Sequence, residues 1–147
     1  MPFKPLSLLI AYDPAGKRCG AVVPRMKQLL EERAFEVDVW EIDDNPPDLE
    51  AYQGIVIGSP VRGLAIRDSG PTPKVATFIQ SAEALEEKKV AIFCVFDVRP
   101  GTVFDRMKNL LNERGAYVVT EYPYWRLQPA DGADLLPAEC MVRIRTR

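Results

Sequence analysis

The residue types that most often carry out chemistry in proteins are scarce in this chain. Its 147 residues include no histidine and three cysteines. The absence of histidine excludes Ser-His-Asp and Cys-His catalytic centres, and it excludes metal binding through imidazole. Any chemistry at neutral pH is therefore expected to come from a bound cofactor.

The three cysteines, Cys19, Cys94 and Cys140, have unrelated spacings that indicate neither a zinc site nor a disulfide framework. Reduced thiols in the cytosol are the simplest interpretation. Cys94 lies inside an apolar run and is predicted to be a core residue. Cys19 follows two cations in a predicted loop, which suggests a reactive thiol, although a loop cysteine without a neighbouring base is usually inert.

Charge and hydropathy exclude several classes of protein. Charged residues make up 27% of the chain, the two signs are mixed, and the net charge is −2. This composition does not indicate a nucleic-acid-binding surface. No apolar run approaches the roughly 18 residues that a membrane span requires, and the first residues lack the apolar segment of a signal peptide. We expect a single cytoplasmic domain, residues 1–147, without nucleic acid or membrane as a partner.

Five short segments predict β-strands. They are residues 6–12, 36–42, 54–58, 89–96 and 116–121. The first and fourth are apolar throughout, as in strands that are buried on both faces. The second alternates between polar and apolar residues, so it is expected at an edge of the sheet, with Trp40 on it. Residues 43–53 leave room for one helical turn at most, and a helix is preferred to a strand at 137–147.

Helices are expected after the first, third and fourth strands. Pro24 is assigned to the first turn of the first helix, where proline is tolerated. Thr72 and Pro73 predict the start of the second helix as N-cap and first helical residue. Thr102 is expected to cap the third helix, and Gly115 to end it.

This alternation of strands and helices predicts an α/β fold with a parallel sheet between two layers of helices. A dinucleotide-binding Rossmann domain is the weaker alternative, because no GxGxxG motif follows the first strand. In an open parallel sheet of this kind, ligands bind outside the carboxyl ends of the strands, at the point where the strand order reverses.

The segment from Asp48 to Pro60 resembles the flavodoxin family. It combines a short Asp-Leu-x-x-Tyr turn, an apolar strand and a Gly-Ser-Pro sequence, and the similarity extends over about residues 6–121. The resemblance implies a three-layer flavodoxin-like fold with a five-stranded parallel sheet of order 2-1-3-4-5. It also implies flavin mononucleotide (FMN) as the cofactor, bound by the loops that follow the first, third and fourth strands.

The first of these loops departs from the family pattern. Flavodoxins usually bind the FMN phosphate with a loop rich in serine and threonine, whereas residues 13–20 contain neither. Gly16, Lys17 and Arg18 remain as candidates. They would combine positive charge with the free N–H groups of the following helix N-terminus. An ordinary surface turn with two solvated cations is the alternative.

The resemblance assigns residues of two further loops to the flavin ring. They are Ser59, Pro60, Val61, Arg62 and Gly63 in the second loop, and Phe96, Asp97 and Val98 in the third. The second loop lacks the aromatic residue that flavodoxins commonly stack on the ring. Arg62 would place positive charge there, and Asp97 could accept a hydrogen bond from a flavin N–H. A plain strand-to-helix connection is the alternative for the second loop.

Two functional hypotheses follow. The first is an FMN-binding redox protein, either an electron carrier or a small FMN-dependent oxidoreductase, so that enzymatic activity is left open. The second is a flavodoxin-like domain without flavin that acts as a binding or assembly module. For the first hypothesis the partners would be the flavin and a redox partner protein, and a homodimer is left open.

Overall fold

The computed structural model describes residues 7–15, 18–61, 71–96 and 102–125. Within these ranges, strands and helices alternate along the chain. The strands are β1 (Ser7–Tyr12), β2 (Glu36–Glu41), β3 (Gly54–Pro60), β4 (Lys89–Phe96) and β5 (Tyr117–Trp125). The helices are α1 (Arg18–Glu32), α2 (Pro73–Ser81) and α3 (Val103–Glu113). The helix preferred at 137–147 lies outside the described residues.

The five strands form one sheet of order β2-β1-β3-β4-β5. Every pairing between neighbouring strands is parallel, which confirms the predicted topology. β2 is an edge strand, and Trp40 pairs with Ala11 there. Val37 is buried in this strand, but Val39 is 39% exposed, so the alternation at the edge buries less than its sequence pattern suggested. Between β2 and β3, the single turn that the sequence allowed is a 3-10 turn at Leu49–Ala51.

The two faces of the sheet carry separate hydrophobic clusters because side chains alternate along each strand. Leu8 and Ile10 of β1 pack with α1, whereas Leu9 and Ala11 pack on the side of α2 and α3. β1 and β4 are buried almost throughout, as their continuous apolar sequences predicted, and β3 is buried as well. Among the described residues, no helix is long and apolar enough to cross a membrane.

The first helix begins earlier than its proline suggested. α1 starts at Arg18, so Pro24 is an interior residue and its assignment to the first turn is wrong. Pro24 lacks the N–H that would bond the carbonyl group of Gly20. Cys19 belongs to the helix and is 0% exposed. It is therefore a core residue and not the loop thiol that the sequence suggested.

The fifth strand extends beyond its predicted end at residue 121. Pro123 lies within β5 and pairs with Cys94, although proline cannot donate a ladder hydrogen bond. Since β5 is the last strand of the sheet, it is an edge strand, where proline is tolerated. A register shift opposite Val90 and Ala91 also marks an irregularity in this pairing.

Two helix ends give a matched pair of stability predictions. Gly115 ends α3 with a φ of 79°, and Ala34 ends α1 with a φ of 69°, a conformation that is unfavourable for a residue with a Cβ. Gly115→Ala should lower the free energy of unfolding by about 1–2 kcal/mol, and its new Cβ would also lie 3.1 Å from Glu86 Cγ. Ala34→Gly should raise the free energy of unfolding by about 0.5–1 kcal/mol, because the relief of backbone strain at Ala34 exceeds the added entropy of the unfolded chain.

Urea denaturation of the two variants and the unmodified protein measures both effects. Changes of the same sign in the two variants would contradict the assignment of left-handed backbone to both helix ends.

Candidate functional site

The carboxyl ends of β1 and β3 define the candidate site. β1 pairs with β2 on one side and with β3 on the other. The connections that follow β1 and β3 therefore lead to helices on opposite faces of the sheet. Such a reversal of strand order opens a crevice outside the carboxyl ends of the strands. Tyr12 and Gly58 are partners across the β1–β3 pairing, and Pro60 pairs with Val95 of β4. The loops that the resemblance assigned to FMN start from these strand ends.

A buried polar network lies at this edge. The Asp13 side chain directly follows β1 and is 3% exposed. Its Oδ1 accepts a hydrogen bond from the Ala15 N–H at 2.9 Å, and its Oδ2 accepts one from the Thr72 hydroxyl group. The Thr72 N–H in turn donates to Ser59 Oγ at 3.0 Å. The network therefore joins the first loop, the end of β3 and the start of α2.

Thr72 differs in its role from the sequence prediction. It occupies the N-cap position of α2, with Pro73 next to it in the first helical turn, as predicted. Its side chain makes no capping hydrogen bond to the helix. Its hydroxyl group instead donates to the Asp13 carboxylate, and this bond is strengthened because the acceptor is charged and both groups are buried.

Tyr12 lies beside this network, on the α1 face of the sheet. Its hydroxyl group donates to Glu41 Oε2 of β2 at 3.2 Å. Burial raises the pKa of the Tyr12 phenol, and the hydrogen bond and the charge of Glu41 raise it further. The phenol therefore stays protonated at neutral pH and ties β1 to the edge strand.

The structure describes five of the eleven predicted site residues. Ser59 and Pro60 end β3 and are buried, and Val61, 1% exposed, joins the core on the α2 side. The Val61 N–H donates to the carbonyl group of Val95 at 2.9 Å, so the second loop starts tied to β4. Phe96 is half-buried at the end of β4.

The backbone of the fifth residue, Arg18, begins α1. The remaining six lie outside the described residues: Gly16, Lys17, Arg62, Gly63, Asp97 and Val98. The assignment of all eleven residues to the flavin stays a prediction.

Sequence reasoning missed the link between Asp13 and Thr72. Each residue carried a local signal, an aspartate directly after a buried strand and a threonine before a helix-starting proline. Both signals predict local turn or cap geometry. The bond joins positions 59 residues apart, and no spacing rule connects them before the strand order is known.

A groove on the side of the molecule is separate from the predicted flavin-binding residues. It has a volume of about 400 Å³ and lies between the segment after β2 and the outer side of α2, where Trp40, Pro46 and Phe78 contribute apolar surface. None of its lining residues is a predicted flavin-binding residue. Within the described ranges, no group of three histidine, cysteine, aspartate or glutamate side chains could hold a metal ion.

The fold and the position of the crevice define an α/β protein of the flavodoxin-like class. The family model of the flavodoxin domain matches residues 15–120, and this chain therefore belongs to that family. Comparison with curated protein sequences gives no significant match.

Solved structures share the fold over nearly the whole chain. Oxidised flavodoxin 1 from Bacillus cereus has a TM-score of 0.73 and 23% identity, covering 92% of this chain and 97% of its own. Two-electron reduced flavodoxin from Megasphaera elsdenii has a TM-score of 0.73 and 18% identity, covering 90% of this chain and 98% of its own. A variant of Fusobacterium nucleatum flavodoxin bound to flavin mononucleotide has a TM-score of 0.71 and 8% identity, covering 96% of each chain.

Proposed function

We propose that this chain binds FMN at the carboxyl edge of its sheet and acts as an electron carrier in the cytoplasm. The observation that carries the proposal is the parallel order β2-β1-β3-β4-β5 in a chain of the flavodoxin domain family, because that order creates a ligand crevice beside β1 and β3. The structural similarity to a flavodoxin bound to FMN supports the same ligand. Residues 1–147 would act as one domain, with a redox partner protein to exchange electrons.

Among the described residues, half-buried Phe96 at the end of β4 would offer apolar surface to the flavin ring. Pro60 and Val61 are buried and would act by positioning the strand ends, which the hydrogen bond from the Val61 N–H to the Val95 carbonyl group holds together. A mostly apolar crevice with a few polar groups suits a planar heteroaromatic ligand. Arg62, Gly63, Asp97 and Val98 would complete the ring site from the adjoining loops.

Binding of the FMN phosphate would depend on the start of α1. Arg18 begins this helix, whose N-terminus offers unpaired N–H groups and partial positive charge. Gly16 and Lys17 would belong to the same phosphate site. FMN would supply the redox chemistry, while the residues of the chain bind the flavin, orient it and limit its contact with water.

Flavin binding by the purified protein tests the proposal. Apoprotein titrated with FMN should quench flavin fluorescence with a Kd of about 1 µM or below. The reduced complex should then pass electrons to a one-electron acceptor such as cytochrome c. The absence of FMN binding would overturn the proposal, and FMN binding without electron transfer would limit it to binding.

Two arginines of the same helix provide a matched comparison. Arg18→Ala should weaken FMN binding about ten-fold or more, because a charged hydrogen bond to the phosphate is worth about 1.5–3 kcal/mol. Riboflavin lacks the phosphate, so its binding should not change. Arg25→Ala, which removes a cation from the same helix, should affect neither ligand. An equal loss for FMN and riboflavin in Arg18→Ala would show that Arg18 acts elsewhere.

A further inference from the structure

We propose that Asp13 determines how strongly this site distinguishes FMN from riboflavin, by reducing the affinity of the first loop for a phosphate group. The inference rests on the proposed function and concerns one part of the same site. Asp13 stands at the start of the loop that would hold the phosphate, and it is the buried acidic residue of the network described above.

The first three residues of this loop have no backbone N–H left for an anion. The Asp13 N–H donates to the carbonyl group of Gly58 at 3.2 Å. Pro14 has no N–H. The Ala15 N–H donates to Asp13 Oδ1 at 2.9 Å. Phosphate-binding loops rely on such N–H groups. In this loop the Asp13 carboxylate already accepts the hydrogen bond of the Ala15 N–H.

The carboxylate is also fixed in place. Its second oxygen accepts the hydroxyl group of Thr72, and the Thr72 backbone is itself held by Ser59 Oγ at 3.0 Å. With a 3% exposed side chain, Asp13 cannot rotate into solvent without breaking both bonds. A negative charge held at the loop repels a dianionic phosphate more strongly than a solvated one would, because burial reduces screening.

Among the described residues, phosphate affinity would therefore depend on the N-terminus of α1, which begins at Arg18, against the charge of Asp13. The consequence is a preference for FMN over riboflavin that is smaller than the phosphate contacts alone would give. Removing the charge while keeping the shape should increase that preference.

Asp13→Asn makes this change, since an asparagine has the same size and its amide oxygen can still accept from Ala15 while its NH₂ group donates to Thr72 Oγ1. The experiment measures the Kd of FMN and of riboflavin for the unmodified protein and the variant. The ratio of the riboflavin Kd to the FMN Kd should rise about ten-fold in Asp13→Asn, through tighter FMN binding. The rise should be smaller at high salt.

Thr72→Val is the matched control. It removes the hydroxyl group that holds Asp13 but leaves the carboxylate and its charge, so the ratio should rise clearly less than in Asp13→Asn. Asp13→Ser repeats the charge removal with a second side chain that accepts a hydrogen bond.

An unchanged ratio in both Asp13 variants would overturn this inference while FMN binding itself stands. An equal rise in Thr72→Val would assign the effect to loop conformation and would also overturn it. If the unmodified protein binds neither flavin, the proposed function fails and the inference fails with it.

Discussion

Replacing Gly58 with alanine should destabilise the protein by about 3 kcal/mol or more, the upper end of the range for overpacked cores. Gly58 lies in β3 directly opposite Phe93 of β4. A Cβ at Gly58 would overlap the Phe93 ring, which is 0% exposed and packed among the side chains between the sheet and α1. The ring has no free space to enter, so the strands would have to separate. Urea denaturation measures the loss.

A double-mutant cycle shows whether the overlap is the cause. Phe93→Leu alone should destabilise the protein, because it leaves a cavity in the core. Combined with Gly58→Ala, the smaller side chain makes room for the methyl group, and the double variant should be more stable than the sum of the two single effects predicts. This comparison remains informative if Gly58→Ala alone fails to fold.

Gly20→Ala is the control for the Gly58 prediction. The Cβ of an alanine there would lie 4.0 Å from the Tyr12 ring, an ordinary contact, and alanine is the better helix former in α1. Its stability should be unchanged or slightly higher. A loss below about 1 kcal/mol in Gly58→Ala would contradict the steric explanation.

The sequence predicted the sheet well because its central strands have a distinctive composition. β1 and β4 are continuously apolar, since both faces are covered by helices, as is typical of strands in parallel sheets. β2 alternates because it has one exposed face. These patterns depend on burial, which is a property of each strand, so they predicted the strands and their parallel pairing. The full strand order was implied by the resemblance to the flavodoxin family.

The predictions for Pro24 and for the end of the fifth strand were wrong because each rested on a rule for a single residue or segment. Proline usually lies in the first turn of a helix, yet Pro24 is in the interior of α1. Proline usually ends a strand, yet Pro123 continues β5. Pro123 is tolerated because β5 lies at the edge of the sheet, which the local rule does not include. Pro24 is interior because α1 begins six residues earlier, at Arg18.

The site was less predictable than the fold because it depends on contacts between distant segments. The strand ends that carry Ser59 and Phe96 followed from the fold. The bond from Thr72 to Asp13 could not be inferred from the fold. It shows that the first loop, which was predicted as a turn with two cations, begins with a carboxylate that is held in place. The sequence identified the missing serine and threonine residues in this loop but not the group that uses its N–H donors.

Raising the pH from 9 to 12 should destabilise the protein through Cys94. Burial in the core raises the pKa of the Cys94 thiol from 9.0 to about 12, and the charge of Glu121 adds to the shift. The unfolded chain ionises its thiol near pH 9, while the folded chain keeps it protonated. The stabilising contribution is therefore complete below pH 9 and is lost as the pH rises towards 12, by roughly 4 kcal/mol in total.

Tyr52 acts in the same direction. Burial and the hydrogen bond to Asp38 Oδ2 at 2.7 Å raise the pKa of its phenol from 10.0 to about 12. Alkaline destabilisation thus has at least two sources, and a variant of Cys94 is needed to separate them.

Cys94→Ala isolates the contribution of the thiol. It should cost about 1 kcal/mol at pH 7.5, since it removes one buried atom beyond Cβ. At pH 10.5 the unmodified protein should have lost about 2 kcal/mol more than the variant has lost, relative to pH 7.5. The other cysteines and Tyr52 are present in both proteins and cancel in this difference. Urea denaturation at the two pH values measures it, and equal losses would show that the Cys94 thiol ionises as easily in the folded chain as in the unfolded one.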